Sequence, residues 1–322
     1  MSPASARVLA APASLKGVLS AGEAAAALGA GFRAAGVVVE ELPVADGGEG
    51  TADALFSALG GAWHAATVAD PLGRPVAARW LELPDATAVV EAAAAIGLEL
   101  VAPEERDPLR ASSRGLGELI LSTEGRRLLV CLGGSATVDG GRGLRDVVGA
   151  LPAGTRVACD VASPLLDAAR LFARQKGADD AAVAELERRL SEDGALAPYA
   201  ELAGAGAAGG LGAALASLGA ELVPGAALVL DTLGFDRRLD GVSLVVTGEG
   251  TVDRTTREGK APAEVARRAM SRGVECVVFG GVVAEPLPGA ETIALSGDPA
   301  RAREDLRGLG VRLGARLVDA AR

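Results

Sequence analysis

Aromatic residues make up only 2% of this 322-residue chain, and its stock of special side chains is short: one histidine, two methionines and three cysteines. A core without many rings has to be filled by Ala, Val and Leu, which brings helices close to the strands they cover. No run of 18 consecutive apolar residues exists and no apolar signal-peptide core follows a basic start, so the expectation is a cytoplasmic protein with no membrane partner. Cys131, Cys159 and Cys276 are far apart, odd in number and without the paired spacing of a zinc site; they read as buried thiols of a reducing compartment. His64, beside Trp63, has no second His or Cys at ligand spacing, which argues against a metal-ligand role. Positive charge is also in deficit: 32 Lys and Arg face 42 Asp and Glu, a net charge of −10 that repels nucleic acid. Two catalytic signatures are missing as well. There is no Gly-x-Ser-x-Gly elbow for a serine hydrolase, and no Lys-Ser or Lys-Thr pair at the Walker spacing.

What is present is alternation. Apolar runs at Arg7–Ala11, Val37–Val44, Leu128–Leu132, Leu244–Thr247 and Val274–Phe279 are mostly separated by Ala/Leu-rich segments of helical period. This predicts an α/β fold with a parallel sheet. Ser20 precedes Glu23 by three residues, a capping box that starts a helix at residue 20 and carries it to about 35. A second texture covers Trp63–Ala69, Val76–Leu83 and Ala88–Glu91, short runs broken by Pro-Leu-Gly-Arg-Pro and Leu-Pro-Asp turns. Residues 151–220, with a strand at Arg156–Cys159 and a helix at Asp179–Ser191, are grouped with it. The predicted division is a discontinuous domain of 1–60, 105–150 and 225–322, and an inserted α/β domain of 61–104 with 151–224.

Four strand ends run into glycine-rich loops that carry charge: Ala11–Gly17, Ala45–Thr51, Gly133–Gly141 and Gly248–Asp253. Ligands of open α/β sheets bind beyond the carboxyl ends of the strands, and glycine lets backbone amides approach a phosphate. Phosphoryl transfer needs an amide and lysine cradle, carboxylates for Mg²⁺ and a base on the acceptor hydroxyl, and the loops supply all three residue types. The only lysines of the chain, Lys16, Lys176 and Lys260, lie in glycine-flanked loops. Each of them also reads as a solvated surface lysine, and Asp46 and Asp253 as turn formers or helix caps. Gly204-Ala205-Gly206-Ala207-Ala208-Gly209 matches a dinucleotide fingerprint literally, but no strand precedes it, so close packing is the preferred reading.

Taken in order, these blocks resemble the glycerate kinase family with the Gly-Gly-Ser-Ala-Thr loop. They include Leu15-Lys16-Gly17, Pro43-Val44-Ala45-Asp46-Gly47-Gly48-Glu49-Gly50-Thr51, Pro71-Leu72-Gly73-Arg74-Pro75, Gly133-Gly134-Ser135-Ala136-Thr137, Cys159-Asp160, Gln175-Lys176-Gly177, Gly204–Gly212, Thr247-Gly248-Glu249-Gly250 and Gly259-Lys260-Ala261-Pro262. The resemblance implies a Rossmann-like three-layer α/β/α domain with a second, inserted α/β domain, and ATP with Mg²⁺ as cofactors. It implies D-glycerate as the partner, a 2-phosphoglycerate product and an open question of a homodimer. On that reading Lys16, Lys176 and Lys260 neutralise anionic charge, and Gly133, Gly134, Ser135 and Gly248 border the phosphates. Asp46, Glu49 and Glu249 hold the metal, and Asp160 or Asp253 accepts the hydroxyl proton. The chain departs from the family at Ala13, Leu15 and Val138, where Asp, Phe and Asn are usual. Between Gly143 and Val157 it is shorter by tens of residues. These departures keep two alternatives open: a relative that only binds ligands as a sensor, and a kinase of another small hydroxy acid.

Overall fold

The computed structural model describes residues 6–159 and 161–320. Its strands are β1 (Arg7–Ala10), β2 (Val38–Glu41), β3 (Ala62–Ala69), β4 (Pro75–Glu82), β5 (Ala88–Glu91), β6 (Leu128–Cys131), β7 (Arg156–Cys159), β8 (Glu221–Pro224), β9 (Leu244–Val252), β10 (Glu275–Val283) and β11 (Glu291–Ala294). They form two sheets, one of five strands and one of six. The chain divides into two compact units. The first holds the described residues up to Asp46, Asp53–Leu59 and those from Ala226 onward; the second holds Gly47–Ala52 and Gly60–Gly225.

In the first unit the sheet order is β11-β10-β9-β1-β2, and every pairing is parallel. Counting only this unit's strands, the order reads 2-1-3-4-5, a doubly wound sheet whose connections reverse direction between β1 and β9. Val8, Leu9, Ala10, Val245, Val246, Val277, Val278 and Phe279 are all fully buried, as strands covered on both faces require. Helices Ala21–Ala34 and Ala302–Ala320 share a core with Val8, Ala10, Val246 and Phe279, while helix Ala261–Ser271 packs on β9 and β10. The first of these helices begins where its capping box predicts, with Ser20 and Glu23 each satisfying the other's backbone amide. Glycine replaces the missing bulk where helices cross. A Cβ on Gly31 would lie 2.2 Å from the Arg307 carbonyl oxygen and 2.9 Å from Gly310 Cα, so the two helix backbones nearly touch.

The second unit's sheet runs β3-β4-β5-β6-β7-β8, antiparallel across its first three strands and parallel from β5 onward. Val68, Trp80, Val90, Val130 and Val157 form its core with Leu116, Leu119, Leu211 and Leu215 from the covering helices. A smaller cluster of Val138, Leu165, Leu186 and Leu190 lies under helix Asp180–Glu192. Here the sequence expectation needs correction. The sequence pattern puts residues 105–150 with the first architecture, but β6 hydrogen-bonds to β5 and β7, and that stretch belongs to the second unit. Two strands, β8 and β11, were not foreseen; each has only four residues and lies at a sheet edge, where the apolar signal is weakest.

Candidate active site

The first unit gathers five of the candidate residues at the strand ends beside its reversal point. The loop after β1 continues the ladder of β9, because the amides of Ala11 and Ala13 donate to the carbonyls of Val246 and Gly248 at 2.8 and 2.9 Å. Residues 15–19 then close a tight turn in which the Leu15 amide donates to the Leu19 carbonyl at 2.9 Å, with exposed Lys16 and Gly17 at its tip. The turn passes over Gly250: a Cβ there would sit 3.6 Å from the Lys16 nitrogen. Gly248 admits no side chain, since a Cβ would fall 2.1 Å from the Phe279 carbonyl oxygen, and this close strand contact aims the next residue. That residue is Glu249. It accepts hydrogen bonds from Thr256 Oγ1 at 2.7 Å and Lys260 Nζ at 3.3 Å. Burial pushes its carboxyl above the usual range; Thr256 and Lys260 oppose the rise, and the negative charge of Asp46 adds to it. Lys260 occupies the position just before helix Ala261–Ser271, and the helix is started by Pro262.

Asp253 has a different occupation. Its carboxylate accepts from the amides of Thr255 and Thr256 and from the Thr255 hydroxyl, capping the short helix Arg254–Arg257. Thr255 holds its carboxyl below the ordinary range. This is the cap reading of Asp253, and a proton acceptor with those bonds is poorly prepared for the task. Asp160 lies outside the described residues.

The second unit gathers the remaining candidates around the loop after β6. A Cβ on Gly133 would meet Gly48 Cα at 2.5 Å, so the Gly47–Thr51 turn and the Gly133–Thr137 loop are in backbone contact. Glu49 lies over Gly134, its carboxylate 3.8 Å from where a Cβ would stand. The loop is pinned from the other side by the Leu98 amide on the Gly134 carbonyl and the Ala136 amide on the Ile96 carbonyl, both 2.8 Å. Lys176 reaches it from a distant part of the sequence. Only 4% exposed, its ammonium donates to Ser135 Oγ at 3.1 Å and to the Thr137 carbonyl at 2.8 Å. A buried ammonium is costly without partners, so this lysine is built in rather than solvated. Thr137 is fully buried and its hydroxyl has no hydrogen-bond partner among the described residues.

Other motifs prove structural. Asp139 accepts from the Ser113 amide and hydroxyl and from the amides of Gly141 and Gly143, tying one loop to the next. The Gly204–Gly212 run turns through left-handed Ala208, Gly209 and Gly210 and presses on the Thr137 carbonyl, 2.2 Å from a Cβ on Gly209, which is the packing role expected of it. His64 stacks on Trp80 and bonds to Glu82 at 2.8 Å, not to a metal site. Among the described residues no cluster of three or more His, Cys, Asp or Glu could cage a metal. Mg²⁺ on a nucleotide asks for less, one or two carboxylates plus phosphate oxygens and water, and the Asp46–Glu249 pair fits that demand.

Comparison with known proteins bears directly on this geometry. The model of the glycerate kinase family matches residues 8–154 and 152–296, nearly the whole chain. The chain belongs to the glycerate kinase family. Its relatives include glycerate 2-kinase of Escherichia coli K12, 40% identical over 311 residues covering 82% of each chain, and glycerate kinase of Bacillus subtilis 168, 37% identical over 325 residues covering 86% of this chain and 85% of that one. A crystal structure from Salmonella typhimurium LT2, named as a candidate glycerate kinase 2, superimposes with a TM-score of 0.85 at 32% identity, covering 98% of this chain and 99% of that one. The family match breaks at residues 152–154, inside the interval where the sequence is expected to be short. The alignments agree: 82% of a 322-residue chain is well below 311 aligned positions, so this chain carries the gaps. Two positions where the resemblance implies other residues are filled by packing. Leu15 joins the first unit's core and Val138 the cluster beneath helix Asp180–Glu192, 3% and 1% exposed.

Proposed function

We propose that this glycerate kinase family member transfers the γ-phosphoryl group of ATP to a hydroxyl of D-glycerate, forming 2-phosphoglycerate and ADP. The observation that carries the reading is the set of Lys16 and Asp46 in the loops after β1 and β2, Glu249 near the end of β9 and Lys260 bonded to it, beside the point where a 2-1-3-4-5 sheet reverses, which is where sheets of this kind take ligands. Lys16 and Lys260 supply positive charge for the triphosphate, and the Gly248–Gly250 backbone admits it closely. Asp46 and Glu249 would hold Mg²⁺ or its waters, and the ion would neutralise charge on the transferred group. In the second unit Lys176, Ser135 and the amides of Gly133 and Gly134 form the cradle for an anionic group. The acceptor hydroxyl attacks phosphorus, the bond from phosphorus to the β–γ bridging oxygen breaks, and the hydroxyl proton passes to a carboxylate. Asp160 is assigned that proton because Asp253 is engaged in capping. Cys131, Cys159 and Cys276 are buried and form no disulfide among the described residues, which supports a reducing, cytosolic setting.

A panel of acceptors tests this. Purified protein with Mg²⁺-ATP is expected to release ADP with D-glycerate at a kcat/KM at least about tenfold above that with glycolate, D-lactate or L-glycerate, a difference of about 1.4 kcal/mol. A higher value with another hydroxy acid would reassign the acceptor. ATP binding without ADP release from any of them would favour a sensor.

A further inference from the structure

We infer that Arg106 is an oxyanion anchor of the second unit, holding a carboxylate or phosphate group of one of the two substrates; this rests on the phosphotransfer reading above. Arginines elsewhere in the chain are mostly engaged: Arg74 with Asp70 and Glu105, Arg126 with Glu82, Arg145 with Asp193, Arg268 with Glu264. Arg106, half-buried, has no ion pair among the described residues. Its Nε is closed off from solvent and has no hydrogen-bond partner, and among the described residues no carboxylate pairs with its guanidinium. Removing such a donor from water without a partner is unfavourable, and a group that arrives with the ligand is the simplest compensation. The planar fork of five donors matches two oxygens of a carboxylate or phosphate.

Its surroundings point the same way. A Cβ on Gly177 would lie 2.8 Å from the Arg106 carbonyl oxygen and 2.9 Å from Arg106 Cβ, so the backbone of Arg106 rests against the residue that follows Lys176. Lys176 is fixed in turn on Ser135 and Thr137. The same segment, residues 96–106, pins the Gly133–Thr137 loop through Ile96 and Leu98. A cleft of about 860 Å³ opens beside it; Arg106 and Arg110 line it together with the carboxylates Glu104, Asp107 and Asp179 and the Arg74–Glu105 pair. Nothing in the sequence pattern singles out Arg106 from the other basic residues. It becomes visible only through the missing partner.

The test compares Arg106→Gln and Arg106→Lys with the unaltered protein in steady-state kinetics and in calorimetric titration with D-glycerate and with a non-hydrolysable ATP analogue. Arg106→Gln is expected to weaken binding of one ligand about 10- to 100-fold, D-glycerate if the group is a carboxylate and the analogue if it is a phosphate. Arg106→Lys should recover part of the loss, and added guanidinium at millimolar concentration part of the Arg106→Gln loss. The melting temperature should not fall, whereas a merely structural arginine would lower it. Dissociation constants for both ligands within twofold of the unaltered protein would overturn the inference. If the unaltered protein binds D-glycerate yet transfers no phosphate, the catalytic reading fails while the titrations still decide Arg106.

Discussion

Glu249 combines two properties that rarely coincide in a purely structural carboxylate: its side chain is only 13% exposed, and its carboxyl is raised by burial even though Lys260 and Thr256 bond to it. On the phosphotransfer reading such a group serves through its charge rather than through stability. Glu249→Gln keeps the shape and removes the charge. The expected result is a kcat/KM about 100-fold lower or worse, with a melting temperature at pH 7.5 at least as high as the original. A lower melting temperature with unchanged turnover would make Glu249 a structural residue. At this scale the sequence revealed residue types better than roles. Lysine scarcity pointed to Lys16, Lys176 and Lys260, and two of these three are bonded to other candidates, Lys176 to Ser135 and Lys260 to Glu249. What it left open was which aspartate is free to act, because a cap and a catalytic base look alike in a glycine-rich loop. Asp253 is resolved only by the bonds from Thr255 and Thr256.

Among the elements, helix Ala261–Ser271 fixes Lys260, and its own position depends on charge. Glu264 accepts from Arg268 Nε at 2.7 Å, and Arg268, 8% exposed, also reaches Asp231 and the Ala227 carbonyl. Burial alone would raise the Glu264 carboxyl, but the bonds from Arg267 and Arg268 outweigh it and hold the group below its ordinary range. A depressed carboxyl stabilises the fold above its unfolded value and loses that contribution as pH falls through the folded value. Glu264→Ala should therefore cost about 2 kcal/mol at pH 7, shrinking as pH falls through the depressed folded value of the carboxyl, as urea unfolding at neutral and at acid pH would measure. A pH-independent loss would assign the effect to packing. The strands of the parallel core were readable because they are continuous apolar runs. The assignment of β6 was not, since an apolar run names a buried strand without naming its neighbours; only the hydrogen bonds to β5 and β7 do so.

For the molecule as a whole, family membership and the two-sheet architecture agree, and both sheets are complete on either side of residues 152–154, where the family match divides. The ordered loop motifs made the family legible because a glycine-rich turn that closely approaches other backbone tolerates few alternatives, as Gly133 against Gly48 illustrates. No helix of the described residues is long and apolar enough to cross a membrane, in keeping with the absence of long apolar runs. The account reduces to one reaction, and ³¹P NMR of a mixture of protein, Mg²⁺-ATP and D-glycerate observes it directly. It predicts ADP and 2-phosphoglycerate growing in equal amounts; ADP accompanied only by inorganic phosphate, or an unchanged ATP spectrum, would contradict it.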